Sequence, residues 1–194
     1  MLHFIYAQPP LLIIFLMAAA LALWGCRAAK IHMALHWRRG NLILSILMAI
    51  AILYTTILSR SEGNSGLVLT PFAALAAARQ QPELYREMLM NIFLFFPLGL
   101  TLSNALPRAW HRWRRLALTT LTGCVLSAGI EYAQYRFALG MAETDDVICN
   151  TLGAFIGAAS LLLAHAMEKH KERPTTMTLT ATETQFLHTA KAAV

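Results

Sequence analysis

The stretch IEYAQYRFALGMAETDDVICNTLGAFIG, residues 130–157, places charged and amide side chains between two strongly apolar segments. These segments are Leu116–Tyr135 and Val147–Met167. Each has the length of a membrane-spanning helix, which needs about 20 residues. The short loop 136–145 joins them, so consecutive spans would run antiparallel and meet at this loop. We therefore predict a helical hairpin that carries polar side chains at its closed end.

Three further apolar segments precede the hairpin, at Leu11–Cys26, Asn41–Leu58 and about Met88–Leu106. The whole chain is 57% hydrophobic and 13% charged, whereas a soluble domain has about 25% charged residues. The predicted fold is therefore all-α, a polytopic membrane bundle of five transmembrane helices.

The same pattern predicts three parts of the chain. Residues 1–40 would form an N-terminal transmembrane helix and a basic cytoplasmic loop. Residues 41–167 would form a four-helix membrane domain. Residues 168–194 are polar and weakly patterned, which predicts a disordered cytoplasmic tail.

Lys and Arg residues are concentrated in every second loop along the chain. Twelve Lys and Arg lie in the loops and tail of one predicted side, and four lie on the other. The positive-inside rule then places the N-terminus outside and the C-terminus in the cytoplasm. The net charge of +6 is explained by this loop pattern. Without a nucleic-acid-binding motif, no nucleic-acid partner is predicted, and the membrane lipid bilayer is the expected environment.

The longest loop, 59–87, lies on the side with few basic residues. Gly63–Gly66 mark a turn, and AALAAARQQ predicts a short helix that ends before Pro82. The loop would form either an interfacial or re-entrant cap, or a plain external loop.

Small and polar residues share one face on each helix of the hairpin. On the first helix these residues are Gly123, Ser127, Glu131 and Gln134. On the second they are Asp146, Asn150, Gly153 and Gly157. Small residues let helices approach closely in lipid, so we expect these two faces to pack together. In the preceding span, Pro97 and Gly99 are also expected to serve helix packing, with a kink at the proline.

Six polar residues should converge at the closed end of the hairpin. They are Asn91, Glu131, Gln134, Asp145, Asp146 and Asn150. At ~1.5 Å per residue, Glu131 and Asn150 lie ~7 Å and ~6 Å from their helix ends. An acid inside a span is costly and is a functional candidate by default.

Structural roles compete with ligand binding at several of these positions. Glu131 could instead pair with Arg60 or Arg136, while the two amide side chains Asn91 and Gln134 could bond between helices. Asp146 could cap its own helix, which would leave Asp145 the freer carboxylate, and Glu143 would be solvated.

Four segments resemble motifs of the VanZ-like family. NIFLFFPLGLTLS (91–103) resembles its N-x-x-x-F-x-P-x-G helix, and IEYAQ (130–134) its E-x-x-Q helix. DDVICNTLGAFIG (145–157) resembles its D-D-x-x-x-N-T-x-G-x-x-x-G helix. LTPF (69–72) is similar to the last four positions of its N-L-x-P-F segment.

The resemblance covers roughly residues 41–165. It implies an integral membrane protein of the bacterial cell envelope, in the cytoplasmic membrane. The founding member of this family is associated with low-level resistance to the glycopeptide teicoplanin.

Three functions are compatible with these residues. The first is a non-enzymatic protein whose outward polar pocket binds a lipid headgroup, a lipid-linked cell-wall precursor or a partner envelope protein. The alternative is an intramembrane enzyme that acts on a lipid-linked substrate through Glu131 and Asp145 or Asp146. HExxH and GxSxG are absent, so no catalytic residue, metal site or cofactor is assigned. A transporter is disfavoured because the acids are peripheral and no repeat is present.

Overall fold

The computed structural model describes residues 34–60, 63, 65–78 and 81–162. Apart from Leu162, these residues belong to one compact unit, Ile31–Leu161. The predicted first span, Leu11–Cys26, and the predicted tail, 168–194, lie outside the described residues.

Four long helices and one short helix account for most of the described chain. In chain order they are α1 (Ala34–Leu53), α2 (Ala73–Ala77), α3 (Pro82–Ala105), α4 (Arg112–Arg136) and α5 (Thr144–Leu162). A π-helical turn, Tyr54–Leu58, continues α1. Four of these helical stretches are long and apolar enough to cross a membrane: Trp37–Leu58, Glu83–Ala105, Arg112–Arg136 and Thr144–Leu162. The prediction of a helical membrane bundle is confirmed.

The helix boundaries follow from local sequence. Helix α3 begins at Pro82, earlier than expected, because proline suits the first helical position, where its missing N–H costs nothing. The helix then continues through Pro97, and the Thr101 Oγ1 donates a hydrogen bond to the Pro97 carbonyl (2.8 Å). The predicted helix in the 59–87 loop is present but short.

Large apolar side chains are exposed along the spans. Those on α1 include Leu42, Ile43, Ile46, Leu47 and Ile50. A contiguous apolar face of this kind is rare on soluble monomers and suits contact with lipid. One cluster of buried apolar side chains consists of Ile52, Phe95, Leu98, Ile130 and Ala154.

Glycines bring α5 against the backbone of α3. A Cβ at Gly153 would collide with the Ile92 carbonyl, and one at Gly157 would collide with the Phe96 carbonyl and the Leu100 amide. We expected this GxxxG pair to face α4, but it contacts α3. The motif permits close approach to any helix, and so it does not specify the partner.

The contact between α4 and α5 uses the neighbouring positions. A Cβ at Gly123 would lie 2.5 Å from the Ala154 Cβ, and a Cβ at Gly99 would collide with the Ala154 backbone. The Asn150 Nδ2 donates to the Ser127 Oγ (2.9 Å). Helix α5 therefore touches both α3 and α4 through small residues, and the expected α4–α5 contact exists at Gly123 and Ser127.

The loops at one end of the bundle are folded. Strand β1 (Gly66–Val68) pairs in parallel with strand β2 (Met141–Glu143), with Leu67 opposite Ala142. We call residues 65–78, which contain β1 and α2, the cap, and the end of the bundle that carries it the capped end. The pairing joins two loops that are far apart in sequence, and the sequence analysis did not anticipate it.

Candidate functional site

Asp145 fastens the cap to the start of α5. Its Oδ1 accepts a hydrogen bond from the Phe72 amide (2.5 Å), and its Oδ2 accepts one from the Ala74 amide (2.7 Å). These amides belong to the first turn of α2, where N–H groups lack partners within the helix. Asp145 is only 4% exposed. It was expected to be the freer of the two aspartates, but both of its oxygens are occupied.

The backbone of Phe72 makes this contact possible. Its φ of 62° and ψ of 16° are left-handed, a conformation that costs a non-glycine residue about 1–2 kcal/mol. The turn directs the amides on either side of Ala73 toward one carboxylate. The two charge-assisted hydrogen bonds offset the strain, because each contributes about 1.5–3 kcal/mol.

Asp146 joins α5 to α3. The Asn91 Nδ2 donates to its Oδ1 (2.6 Å). For Asn91, this geometry is the interhelical hydrogen bond that the sequence analysis held open beside ligand contact.

Glu131 and Gln134 connect the end of α4 to two different partners. The Glu131 Oε2 accepts from the Glu143 amide in β2 (3.0 Å). The Gln134 Nε2 donates to the Thr56 carbonyl (3.0 Å), which belongs to the π-helical turn. Each residue therefore holds a neighbouring segment by its backbone.

Asn150 is satisfied on one side only. Its amide nitrogen bonds to Ser127, but its Oδ1 has no hydrogen-bond partner among the described residues, and neither has the adjacent Thr151 Oγ1. Asn150 is 4% exposed. A buried acceptor without a partner costs about 1–3 kcal/mol, so this position retains an unused hydrogen-bonding capacity.

Arg60 contributes a positive charge at the capped end. Its guanidinium lies against Gly140, where an added Cβ would be 2.7 Å from Nη1. The charge of this exposed arginine acts on the carboxylates of Glu131 and Asp146. The backbone φ of Gly140, 150°, is a second reason why a side chain is disfavoured at this position.

Glu143 lies in β2, outside the candidate spans. Burial raises the pKa of its carboxyl group, and the negative charges of Asp145 and Glu87 raise it further. The carboxyl is half-buried, whereas solvation was expected, because the β1–β2 pairing brings this loop onto the bundle.

An apolar groove of about 560 Å³ adjoins the cap. It opens between α2 and the first turn of α3. Its lining residues are Phe72, Leu75, Ala76, Ala78 and Tyr85. Phe72 belongs both to this groove and to the turn that Asp145 holds, so the polar network and the groove are adjacent.

All six predicted site residues lie at the capped end, and each makes a hydrogen bond to another segment or helix. The partners of Glu131, Gln134 and Asp145 were not predicted, because they are backbone groups and carry no side-chain signal. The LTPF motif was the one indication that the 59–87 loop belongs to this network. Within the described part of the chain, no group of three or more His, Cys, Asp or Glu residues is arranged to hold a metal ion.

Comparison with known proteins gives two matches. The model of the VanZ/LLP1 family matches residues 41–165. "Protein VanZ" of Enterococcus faecium is 36% identical to this chain over 91 residues, which are 47% of this chain and 49% of that protein. The matched part thus spans about half the length of this relative. No solved structure matches the chain. The family match covers the described spans from Asn41 onward and all six site residues, and the chain therefore belongs to the VanZ/LLP1 family.

Proposed function

We propose that the capped end binds an amphiphilic lipid of the cell envelope, without catalysis. The groove beside the cap holds the apolar chain, and Arg60 holds an anionic headgroup. The observation that carries this proposal is the apolar groove of about 560 Å³ beside the turn that Asp145 holds. Membrane phospholipids and lipid-linked cell-wall precursors share this combination of an apolar chain and a phosphate.

The groove has the properties of a chain-binding site. Its volume lies in the range of small-molecule sites, about 300–1,000 Å³. It is lined by apolar and aromatic side chains, and exposed Leu67 and Leu69 lie in the same cap segment. Each CH₂ group transferred into such a groove contributes about 0.8 kcal/mol.

The buried acids act as positioning residues in this proposal. Because the Asp145 oxygens and one Glu131 oxygen already accept backbone amides, they are poor candidates for proton transfer to a substrate. They fix the cap and β2, and with them the groove and Arg60. This arrangement favours a binding protein over the intramembrane enzyme.

The family and the loop charges support a proposal for the biological setting. We propose that the capped end faces the outside of a bacterial cytoplasmic membrane, where lipid-linked wall precursors are displayed. Binding there would alter susceptibility to glycopeptides such as teicoplanin, which act at the cell wall. The alternative is that the same surface binds a partner envelope protein.

Filling the groove tests the proposal. Ala76→Trp places a large side chain inside it, whereas Leu69→Trp adds the same group at an exposed cap position outside the lining. The purified protein is reconstituted with polyprenyl phosphate in phosphatidylcholine vesicles, and the retained lipid is measured by mass spectrometry. We expect Ala76→Trp to reduce retention about tenfold or more, equivalent to two lost CH₂ contacts, and Leu69→Trp to leave it unchanged.

The same variants are expressed in a teicoplanin-susceptible host. Only the wild type and Leu69→Trp should change the minimal inhibitory concentration. Equal lipid retention by both tryptophan variants would refute lipid binding in the groove. A lost antibiotic effect with normal lipid retention would indicate a partner protein instead.

A further inference from the structure

The cap exposes large apolar side chains. They are Leu67, Leu69, Phe72 and Leu75, and Leu69 is 68% exposed. Residues 65–78 contain no Asp, Glu, Lys or Arg, although charged side chains are the usual residues of a surface in water. Exposed apolar patches mark sites that contact a membrane or another protein. The composition of the cap is therefore that of a surface in contact with apolar material.

The hydrogen bonds of Asp145 fix how far the cap stands from the bundle. Asp145 is the second residue of the candidate span Thr144–Leu162, so its carboxylate lies where that span begins. Its two oxygens accept the Phe72 and Ala74 amides at 2.5 and 2.7 Å. The first turn of α2 therefore lies within one side-chain length of the end of a membrane span, rather than beyond it in the aqueous phase.

The strand pairing holds the other half of the cap at the same level. Strand β1 pairs with β2, which ends at Glu143, directly before α5. The Glu143 amide is bonded in turn to Glu131, which at ~1.5 Å per residue lies ~7 Å before the end of α4. Separate hydrogen bonds thus draw both halves of the cap against the helix ends.

Exposed apolar residues of the bundle adjoin the cap. Phe137, which follows α4, and Met141, which begins β2, are both exposed. The Met141 side chain lies against β1, because a Cβ on Gly66 would be 3.4 Å from its Cγ. The apolar surface of the spans, which suits contact with lipid, therefore continues through β2 onto the cap. Lipid is accordingly the expected covering of both.

Tyrosines near this end mark the level of the membrane interface. Tyr132 and Tyr135 are exposed in the last turns of α4, and Tyr54 is exposed where the π-helical turn continues α1. Tyrosine is enriched at the level of lipid headgroups. A segment held at this level buries its apolar face about 5–10 Å into the boundary between headgroups and acyl chains.

We propose that the cap is embedded in the membrane leaflet on its own side, where its four exposed apolar side chains contact the acyl chains of the bilayer. Of the two forms that the sequence left open for the 59–87 loop, this is the interfacial cap and not the plain external loop. The proposal does not depend on lipid retention in the groove, because these contacts are with the surrounding bilayer.

Electron paramagnetic resonance of a spin label tests the position of the cap. In the cysteine-free full chain, Leu69→Cys, Val125→Cys and Gly63→Cys are each labelled with a nitroxide and reconstituted into phosphatidylcholine vesicles. Collisions with oxygen, which concentrates among acyl chains, are compared with collisions with a water-soluble nickel chelate. Val125 is exposed within α4 and reports the bilayer. Gly63 is the matched control, because it has open space around it and belongs to the polar stretch 61–65 of the same loop.

We expect the ratio of oxygen to chelate collisions to be several-fold higher for the labels at Leu69 and Val125 than for the label at Gly63. Leu67→Cys lies two residues earlier, on the same side of the extended chain, and is also exposed. It should repeat the result for Leu69 and provides a second readout if Leu69→Cys does not insert.

Two results would overturn the proposal. A ratio at Leu69 equal to that at Gly63 would place the cap in water. A label at Leu69 that neither reagent reaches would show that protein, and not lipid, covers the cap. In that case, loss of spin–spin broadening on dilution with unlabelled chains would identify the covering protein as a second copy.

Discussion

Replacing Asp145 with asparagine should release the cap while leaving the bundle intact. The carboxylate accepts the Phe72 and Ala74 amides with separate oxygens. An asparagine side chain keeps one acceptor oxygen and turns an NH₂ group toward the other amide. One charge-assisted hydrogen bond is lost and the other becomes neutral.

The expected cost is about 2–3 kcal/mol, if a hydrogen bond to the carboxylate contributes about 1.5–2 kcal/mol, in the lower part of the usual range, and a neutral one about 1 kcal/mol. This cost raises the equilibrium for local opening of the cap by about 30- to 140-fold. The left-handed strain at Phe72 favours opening once the carboxylate is gone. The change is confined to the cap because its other described polar ties, such as the Thr144 Oγ1 bond to the Val68 carbonyl (3.2 Å), do not involve Asp145.

Amide hydrogen exchange of the protein in detergent micelles measures this opening. Peptides from 72–78 should exchange about 30- to 140-fold faster in Asp145→Asn than in the wild type, while peptides from α4 should not change. Glu143→Gln removes a nearby carboxylate that bonds neither amide, and it should leave the exchange at 72–78 unaltered. Unchanged protection in Asp145→Asn, or equal loss of protection in α4, would refute this account of the cap.

Three further predictions concern packing, pH and orientation. Gly157→Ala should lower the free energy of unfolding by about 1–3 kcal/mol, because the added Cβ would collide with the backbone of α3. Gly129 has open space around it, so Gly129→Ala should raise the free energy of unfolding by about 0.5–1 kcal/mol. Equal effects of the two substitutions would contradict the contact between α5 and α3. The raised pKa of Glu143 means that the folded protein holds this proton more tightly than the unfolded chain, so stability should fall as pH rises above the usual glutamate pKa. In thermal melts, Glu143→Gln should reduce this dependence of stability on pH. An unchanged dependence would show that Glu143 is not its cause. In a cysteine-free background, Met141→Cys should react with an impermeant maleimide from outside the cell and His111→Cys should not, and the reverse pattern would invert the proposed orientation.

The spans could be predicted from sequence because a membrane helix must be apolar along its whole length. Consecutive spans run in opposite directions, so the start of α3, the end of α4 and the start of α5 lie on one side of the membrane. Asn91, Glu131 and Asn150 were therefore expected at one end of the bundle. Both inferences use features that each residue carries alone or with its neighbours along one helix.

The contacts of the site could not be predicted, for reasons visible at particular residues. The target of Asp145 is a pair of backbone amides, presented by a left-handed Phe72 that no periodicity encodes. Strands β1 and β2 have three residues each, too few for an alternating pattern to be recognised. Gly153 and Gly157 predict a close helix contact, but a pair of small residues does not distinguish α3 from α4.

The fastening of the cap by Asp145 has a consequence for biosynthesis. The Ala74 amide precedes the carboxylate that binds it by 71 residues. At about 5–20 residues per second, the ribosome adds that length in about 4–14 s. During this time the cap segment is already synthesised, yet its partner on α5 does not exist. The cap can therefore be fastened only after synthesis has reached Asp145, so closure of the cap is a late event in the assembly of the four-helix domain.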